Sequence, residues 1–176
     1  RLNVKGRSRY LTDEEFKAIR EQANDILRAA MDISYVTGAR ISDVLAIRIQ
    51  HWTPEGLMIR QIKTGKLQLF KRTPILEQVI EQARRIPRPV RGLYLLSTLK
   101  GQPYKYSTIL TWWNKATEKA KVENANFHDI RGKSATDAKR EGVDYQALLG
   151  HTTKAMSDKY IKLETAQLVE PMTRVL

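Results

Sequence analysis

The sequence of 176 residues contains no cysteine. This absence excludes disulfide bonds, thiolate catalysis and cysteine-bound zinc, and it agrees with an intracellular protein. Long apolar runs are also missing, and no stretch approaches the roughly 20 apolar residues of a membrane-spanning helix. We therefore expect no membrane association. With 41% hydrophobic residues, the chain has the composition of a soluble domain that is long enough to bury a core.

Acidic residues are outnumbered by basic ones. The 31 Lys and Arg residues against 19 Asp and Glu residues give a formal net charge of +12. Such an excess favours a polyanionic partner, and nucleic acid is the first candidate. The alternative interpretation is a solvated basic surface that keeps the protein in solution.

The sequence also lacks the motifs of metal-dependent nucleases and of ATP-binding phosphate loops. Its carboxylates are scattered, without the D-x-D or H-E-x-x-H patterns by which clustered ligands hold a metal ion. Gly65 and Lys66 resemble the end of an ATP-binding loop, but Arg60 stands where the first glycine is needed and no helix follows at once. We therefore expect no metal ion, ATP or other cofactor.

Local patterns predict a mainly helical domain with one small antiparallel β-sheet, an α+β fold. Thr12 and Glu15 form a capping-box pattern before a first helix, whose apolar spacing continues through Leu27. Two extended stretches, 57–62 and 67–72, flank Lys63-Thr64-Gly65-Lys66 and predict a hairpin with a basic turn. Further helices are expected at about 29–36, 42–47 (capped by Ser42), 75–86, 107–121 (capped by Ser107), 128–140 and 144–149, and a last one from Thr152 or Thr153.

Several residues that could perform chemistry follow one another in a long ordered pattern. His128 and Arg131 are three residues apart, so on a helix they share a face. His151 follows Gly150 near a predicted helix start, and Tyr160 lies nine residues later. Taken singly, each short motif is more typical of an ordinary surface or half-buried residue. The pattern as a whole runs Thr37-Gly38-Ala39-Arg40, Lys63 in the hairpin, His128-Asp129-Ile130-Arg131, Leu148-Leu149-Gly150-His151, then Tyr160.

In this combination the sequence resembles the catalytic domain of the tyrosine recombinases, the phage-integrase family of site-specific DNA recombinases. The stretches that carry the resemblance are VTGARISDVLAI (36–47), IRQIKTGKLQLF (59–70), FHDIRGKSATDA (127–138) and LLGHTTKAMSDKYI (148–161). The resemblance implies DNA cleavage and rejoining through a covalent 3′-phosphotyrosyl intermediate, without metal or ATP.

The resemblance also implies a role for each matching residue. Tyr160 would be the nucleophile, and Arg40 and Arg131 would stabilise the negative charge on the attacked phosphate. Lys63 would protonate the leaving 5′-oxygen as general acid, with Lys66 as the alternative. The other matching residues are His128 as acceptor of the tyrosine proton, His151 as hydrogen-bond donor to the phosphate, and Asp43, which either orients the site or is an ordinary helix charge.

The basic, irregular composition of residues 1–10 and the same resemblance together predict the domain organisation. We expect a linker at residues 1–10, a catalytic domain at 11–165 and a C-terminal tail at 166–176. The tail either docks on a neighbouring subunit or folds back on its own domain. Because the chain begins with Arg1 rather than Met, we expect further sequence upstream, including a DNA-binding region.

The expected partners are double-stranded DNA and further copies of the chain, in a tetramer on DNA. The expected location is the cytoplasm of a bacterial or phage-infected cell, at the nucleoid.

Three alternatives stay open: a type IB topoisomerase, a catalytically inactive DNA-binding protein on the same fold, and a basic RNA-binding protein. The last lacks the aromatic pattern of the common RNA-stacking modules.

Overall fold

The computed structural model describes residues 9–90, 92–150 and 167–174. This part of the chain confirms the mainly helical α+β prediction. Its elements are α1 (Asp13–Gln22), α2 (Asp25–Thr37), α3 (Ile41–Leu45), a 3₁₀ turn (Ile49–His51), β1 (Gly56–Arg60), β2 (Leu67–Lys71), α4 (Pro74–Arg85), α5 (Tyr106–Lys119), α6 (Asp129–Arg140), α7 (Tyr145–Leu149) and β3 (Gln167–Val169).

Helix α2 is the centre of the core. Eleven of its 13 residues are buried, and it contacts α1, α3, α4, α5 and α6. It ends at Gly38, which adopts a left-handed conformation with φ of 63°. A Cβ atom on Gly38 would lie 3.2 Å from Leu149 and 3.3 Å from Leu148. This glycine therefore allows the end of α2 to approach α7 closely.

The first two helices are divided differently from the prediction. The apolar spacing suggested one helix through Leu27 and a second from about residue 29, but α1 ends at Gln22 and α2 begins at Asp25. The reason is Asn24, whose side chain accepts a 2.9 Å hydrogen bond from the Leu27 amide and thereby caps α2. The capping box of α1 is confirmed, with the Glu15 amide 3.2 Å from Thr12 Oγ1.

Two other predicted caps are wrong. The cap position of α3 is occupied by Arg40 rather than Ser42, and that of α5 by Lys105 rather than Ser107. Neither Arg40 nor Lys105 makes a side-chain capping hydrogen bond. In both helices the cap position lies two residues before the serine that the pattern indicates.

The predicted hairpin is confirmed. Strands β1 and β2 pair antiparallel from Gly56 opposite Lys71 to Arg60 opposite Leu67. The turn closes with a 2.8 Å hydrogen bond from the Gln61 amide to the Lys66 carbonyl. Burial alternates along both strands, because successive side chains of a strand point to opposite faces.

The described tail residues pack on their own domain. Strand β3 pairs with β2 in parallel, from Gln68 opposite Gln167 to Phe70 opposite Val169, which the sequence did not predict. Met172 is buried, and its amide donates a 2.8 Å hydrogen bond to the Val36 carbonyl at the end of α2. Docking of the tail on a neighbouring subunit stays a prediction.

A buried ionic cluster fixes one face of α6. Lys133 and Asp137 are both fully buried, and Lys133 Nζ lies 2.9 Å from Asp137 Oδ2. Lys133 also pairs with Asp13 of α1, and Tyr10 donates a 2.7 Å hydrogen bond to Asp137. Arg174 of the tail approaches the same carboxylate at 3.4 Å. The cluster thus joins α1, α6 and the tail.

Candidate active site

A cavity of about 280 Å³ opens where the end of α2, the start of α3 and the start of α6 meet. Its lining includes three of the predicted site residues: Arg40, His128 and Arg131. The remaining lining residues are Ser34, Ala39, Ile41, Ser42, Tyr106 and Phe127. The fold therefore gathers side chains that lie some 90 positions apart in the sequence.

Arg40 lies two residues after Gly38, the left-handed residue that ends α2. It occupies the cap position immediately before α3. Its side chain is 24% exposed, and Nη1 donates a 3.2 Å hydrogen bond to Gln61 Oε1 in the hairpin turn. Asp43, one turn further along α3, has a carboxylate oxygen 3.9 Å from the same nitrogen. Arg40 is thus held from two sides while part of its guanidinium faces the cavity.

Arg131 is more deeply placed, with only 7% of its surface exposed. Nη1 donates to the Gly38 carbonyl, and Nη2 donates a 2.8 Å hydrogen bond to the Leu149 carbonyl. These bonds tie α6 to the ends of α2 and α7. Burial, together with the nearby Arg40 charge, lowers the pKa of Arg131 to about 10, so the guanidinium remains charged at neutral pH.

His128 lies at the start of α6, where a local network sets the backbone. The His128 amide donates a 3.0 Å hydrogen bond to Asn126 Oδ1, and the Asn126 amide donates a 2.8 Å bond to Asp129 Oδ2. Phe127 anchors this turn in the core through an edge-to-face contact with Trp113, with the ring centroids 5.2 Å apart.

The electrostatic surroundings favour the neutral form of His128. Partial desolvation lowers the pKa of its imidazole, and the positive charges of Arg131 and Arg40 lower it further. A neutral imidazole can accept a proton, whereas an imidazolium cannot. The cavity therefore combines two cationic guanidinium groups, which suit an anion, with a nearby base.

Asp43 is buried and connects α3 with the hairpin. Its Oδ1 accepts a 2.9 Å hydrogen bond from the amide of Ile62, the residue before Lys63. The other oxygen, Oδ2, has no hydrogen-bond partner among the described residues. Asp43 is therefore a buried carboxylate that joins α3 to the hairpin turn, and its orienting role stays a prediction.

The two candidate lysines differ in their environment. Lys63 is exposed in the turn, and within the described residues it makes no hydrogen bond or ion pair. Lys66 is half-buried, and its Nζ lies 3.3 Å from the Gly150 carbonyl. Burial lowers the pKa of Lys66. The turn thus presents one exposed ammonium and one that is anchored to the end of α7.

His151 and Tyr160 lie outside the described residues, as does the helix predicted from Thr152 or Thr153. The chain leading to them is fixed as far as Gly150. That glycine ends α7 in a left-handed conformation with φ of 69°. His151 therefore follows directly on a residue that borders the hairpin and the Arg131 contact.

Sequence reasoning missed two glutamines, Gln61 and Gln68, which are 3% and 2% exposed. Gln61 contacts Arg40, and Gln68 contacts Gln61. A signal for both was available. In the alternating pattern of the hairpin they fall on the same face as Leu57, Ile59 and Phe70, and a polar residue on an apolar face needs a partner.

Comparison with known proteins identifies relatives of this chain by sequence. The sequence profile described as "Phage integrase family" matches residues 9–167. The integrase of Enterobacteria phage P21 is 28% identical over 168 residues, which cover 83% of this chain and 43% of the phage protein. The integrase of Escherichia phage lambda is 24% identical over 169 residues, 88% of this chain and 47% of that protein. The chain thus spans less than half the length of these two relatives.

The fold comparison agrees with the sequence comparison. The lambda integrase catalytic core superposes with a TM-score of 0.71 at 23% identity, covering 83% of this chain and 96% of that structure. A lambda integrase tetramer bound to a Holliday junction gives the same TM-score, 0.71, at 23% identity, over 86% of this chain and 49% of that one. The described residues therefore share the fold of that catalytic core.

Proposed function

The chain belongs to the phage integrase family, and on that premise we propose that it is the catalytic part of a tyrosine-type site-specific DNA recombinase. Its substrate would be double-stranded DNA, which agrees with the net charge of +12. The single observation that carries the proposal is the cavity that Arg40, His128 and Arg131 line together. A cavity of this kind suits one phosphodiester group.

The proposed reaction uses the hydroxyl of Tyr160 as nucleophile. The phenol oxygen forms a bond to a DNA phosphorus atom, and the bond from that phosphorus to the 5′-oxygen breaks. The phenol proton passes to neutral His128, and Lys63 gives a proton to the leaving 5′-oxygen. The phosphate diester is conserved in the 3′-phosphotyrosyl product. The reverse reaction with another 5′-hydroxyl rejoins the strand, so no ATP is required, and the two guanidinium groups would supply the charge stabilisation that a metal ion supplies in other enzymes.

The arginines carry the electrostatic part of this mechanism. The five-coordinate transition state has more negative charge than the bound phosphate, and guanidinium groups fixed beforehand stabilise that charge. Arg40 and Arg131 are both fixed, by Gln61 and by the Gly38 and Leu149 carbonyls respectively. His151 would donate a further hydrogen bond to the phosphate, and Asp43 would orient the hairpin through its bond to the Ile62 amide.

Assembly and domain organisation are part of the same proposal. A lambda integrase tetramer is bound to a Holliday junction and a lambda integrase dimer to a core site. We infer that this chain likewise acts as a tetramer on double-stranded DNA in a bacterial or phage-infected cell. Residues 11–165 would form the catalytic domain, 1–10 a linker and 166–176 a tail that can contact a neighbouring subunit.

The experiment that tests the function is covalent trapping. The protein is incubated with a nicked duplex that prevents religation and is then denatured in detergent. We expect a protein–DNA adduct from the wild-type chain and none from Tyr160→Phe, with and without a divalent-ion chelator. Retained DNA binding without any adduct would instead identify a catalytically inactive DNA-binding protein.

A type IB topoisomerase is the second candidate because it would use the same nucleophile and the same cluster of cations. It is distinguished by its products. A recombinase exchanges strands between two matching sites, whereas a topoisomerase relaxes supercoiled DNA as a monomer without a partner site.

A further inference from the structure

Two buried glutamines link the parts of the site that lie on different elements. Gln61 directly follows the last residue of β1, and Gln68 lies on the adjacent β2. The amide nitrogen Nε2 of Gln61 donates a 2.7 Å hydrogen bond to Gln68 Oε1. We propose that this pair, the glutamine relay, is a positioning device for catalysis that sets Arg40, the Lys63 turn and the residue before His151 relative to one another. The inference rests on the proposed function.

The first arm of the relay reaches Arg40 and the turn. Gln61 Oε1 accepts a 3.2 Å hydrogen bond from Arg40 Nη1 and a 3.0 Å bond from Thr64 Oγ1. Thr64 directly follows Lys63 in the sequence. One oxygen atom therefore fixes both an arginine of the phosphate cavity and the turn that carries the proposed general acid.

The second arm reaches the end of α7. Gln61 Nε2 also donates a 3.0 Å bond to the Leu149 carbonyl, the same oxygen that accepts from Arg131. Gln68 Nε2 donates to the Ala147 carbonyl at 2.8 Å and to the Leu148 carbonyl at 3.3 Å. Since these carbonyls can only accept, both amides must present their NH₂ groups to α7, and the orientation of the relay is determined.

Gly150 shows how closely the relay abuts the chain before His151. A Cβ atom at this position would lie 2.2 Å from Gln61 Nε2 and 2.9 Å from Gln68 Oε1. The relay therefore occupies the space that a side chain at residue 150 would need. The backbone that leads to His151 is held against the hairpin.

Packing alone does not explain two amides at these positions. They lie on the inward face of the hairpin, which is otherwise apolar, and side chains such as Leu or Met would fill the same volume. Buried amides lose their hydration and gain little net stability even when they are fully bonded. What the amides add is direction, because each hydrogen bond fixes an angle as well as a distance.

The relay is tested by separating DNA cleavage from DNA binding. The variants are Gln61→Met, Gln68→Met and the double variant, with Gln78→Met as a control because Gln78 is an exposed glutamine on α4. Three quantities are measured: the single-turnover rate of adduct formation at saturating DNA, the Kd for DNA, and the unfolding midpoint. Gln61→Glu is a second variant of nearly unchanged size, which keeps the acceptor for Arg40 but cannot donate to Leu149.

We expect each Met variant to slow adduct formation by about tenfold to a hundredfold, since small misplacements of catalytic groups have effects of that size. The Kd should stay within about twofold, and the double variant should be little slower than Gln61→Met alone, because coupled residues are not additive. Gln61→Glu should also be slow, and Gln78→Met should match the wild-type rate.

Unchanged cleavage rates in the Met variants and in Gln61→Glu, at saturating DNA, would overturn the relay while leaving the proposed function intact. Fully additive losses in the double variant would overturn it as well. If the wild-type chain itself formed no adduct on any nicked duplex, the proposed function would be wrong, and the relay's catalytic role would be wrong with it.

Discussion

Arg131 Nη2 donates a 2.8 Å hydrogen bond to the carbonyl of Leu149, two residues before His151. This bond connects α6, which carries Arg131 and follows His128, to the segment that leads to the proposed nucleophile. The same arginine also donates to Gly38, at the end of α2. A single guanidinium thus serves as a structural tie and as a charge in the cavity.

Arg131→Lys tests whether catalysis needs the planar guanidinium group or only a positive charge at this position. Lysine keeps the charge but cannot donate to two carbonyls and a phosphate in the same fixed geometry. We expect adduct formation to slow by roughly 100- to 1000-fold, about 3 kcal/mol of transition-state stabilisation, with less than about a tenfold change in the Kd for DNA.

Arg85→Lys on α4 is the matched control, because Arg85 is exposed and lies outside the cavity. Its rate should equal that of the wild type. A full-rate Arg131→Lys variant would show that charge is sufficient and that the bidentate geometry is not needed.

The rate of adduct formation should depend on the protonation of His128. Partial desolvation and the charges of Arg131 and Arg40 lower the pKa of His128 below its ordinary value near 6.5. As the acceptor of a proton, His128 must be neutral. The rate should therefore stay constant as the pH falls to about 6.5, the ordinary pKa of histidine, and decline only at lower pH.

Removal of one neighbouring charge should move this titration in a known direction. In Arg40→Gln a cation that lowers the pKa of His128 is lost, so the pKa should rise. NMR titration of the His128 ring measures this pKa directly. A fall in the pKa, or no change, would contradict the electrostatic description of the cavity.

Lys63→Ala and Lys66→Ala distinguish the two candidate general acids. We expect Lys63→Ala to lose roughly 100- to 10,000-fold in the cleavage rate, the usual contribution of general acid catalysis. Lys66→Ala should lose less, because Lys66 is bound to the Gly150 carbonyl. The reverse order of effects would assign the proton donor to Lys66, whose pKa is lowered by burial.

Lys133→Met should destabilise the domain strongly. It would leave Asp137 fully buried without its 2.9 Å partner, and loss of one member of a buried ion pair costs about 3–5 kcal/mol. Urea unfolding measures the difference. Arg84→Met removes an exposed pair with Glu81 and should cost less than about 1 kcal/mol. Equal losses in the free energy of unfolding would show that the buried Lys133 cluster stabilises the domain no more than an exposed ion pair does.

Much of the fold could be predicted because the signals are local. The capping box at Thr12, the hairpin around Lys63 and the helix start at His128 depend on neighbouring residues, and all three are confirmed. The Ser42 and Ser107 caps were wrong because a serine near a helix start does not by itself specify which residue takes the cap position. The break between α1 and α2 was missed because its apolar spacing is continuous across Asn24.

The site could be predicted only in part. Arg40, His128 and Arg131 were identified because their ordered pattern resembles the phage-integrase family, and the structure brings them to one cavity. The contacts that hold them were not predictable, because they join residues far apart, such as Gln61 with Leu149. Strand β3 was missed for the same reason, since a three-residue strand depends on its partner rather than on its own propensity.

The central step of the proposed mechanism is attack by Tyr160 on a phosphate held by Arg40 and Arg131. The most direct measurement is mass spectrometry of the trapped adduct after protease digestion of the protein. We predict a peptide in which the oxygen of Tyr160 is bonded to the 3′-phosphate of the cleaved strand. A bond to any other residue, or to a 5′-phosphate, would contradict the account.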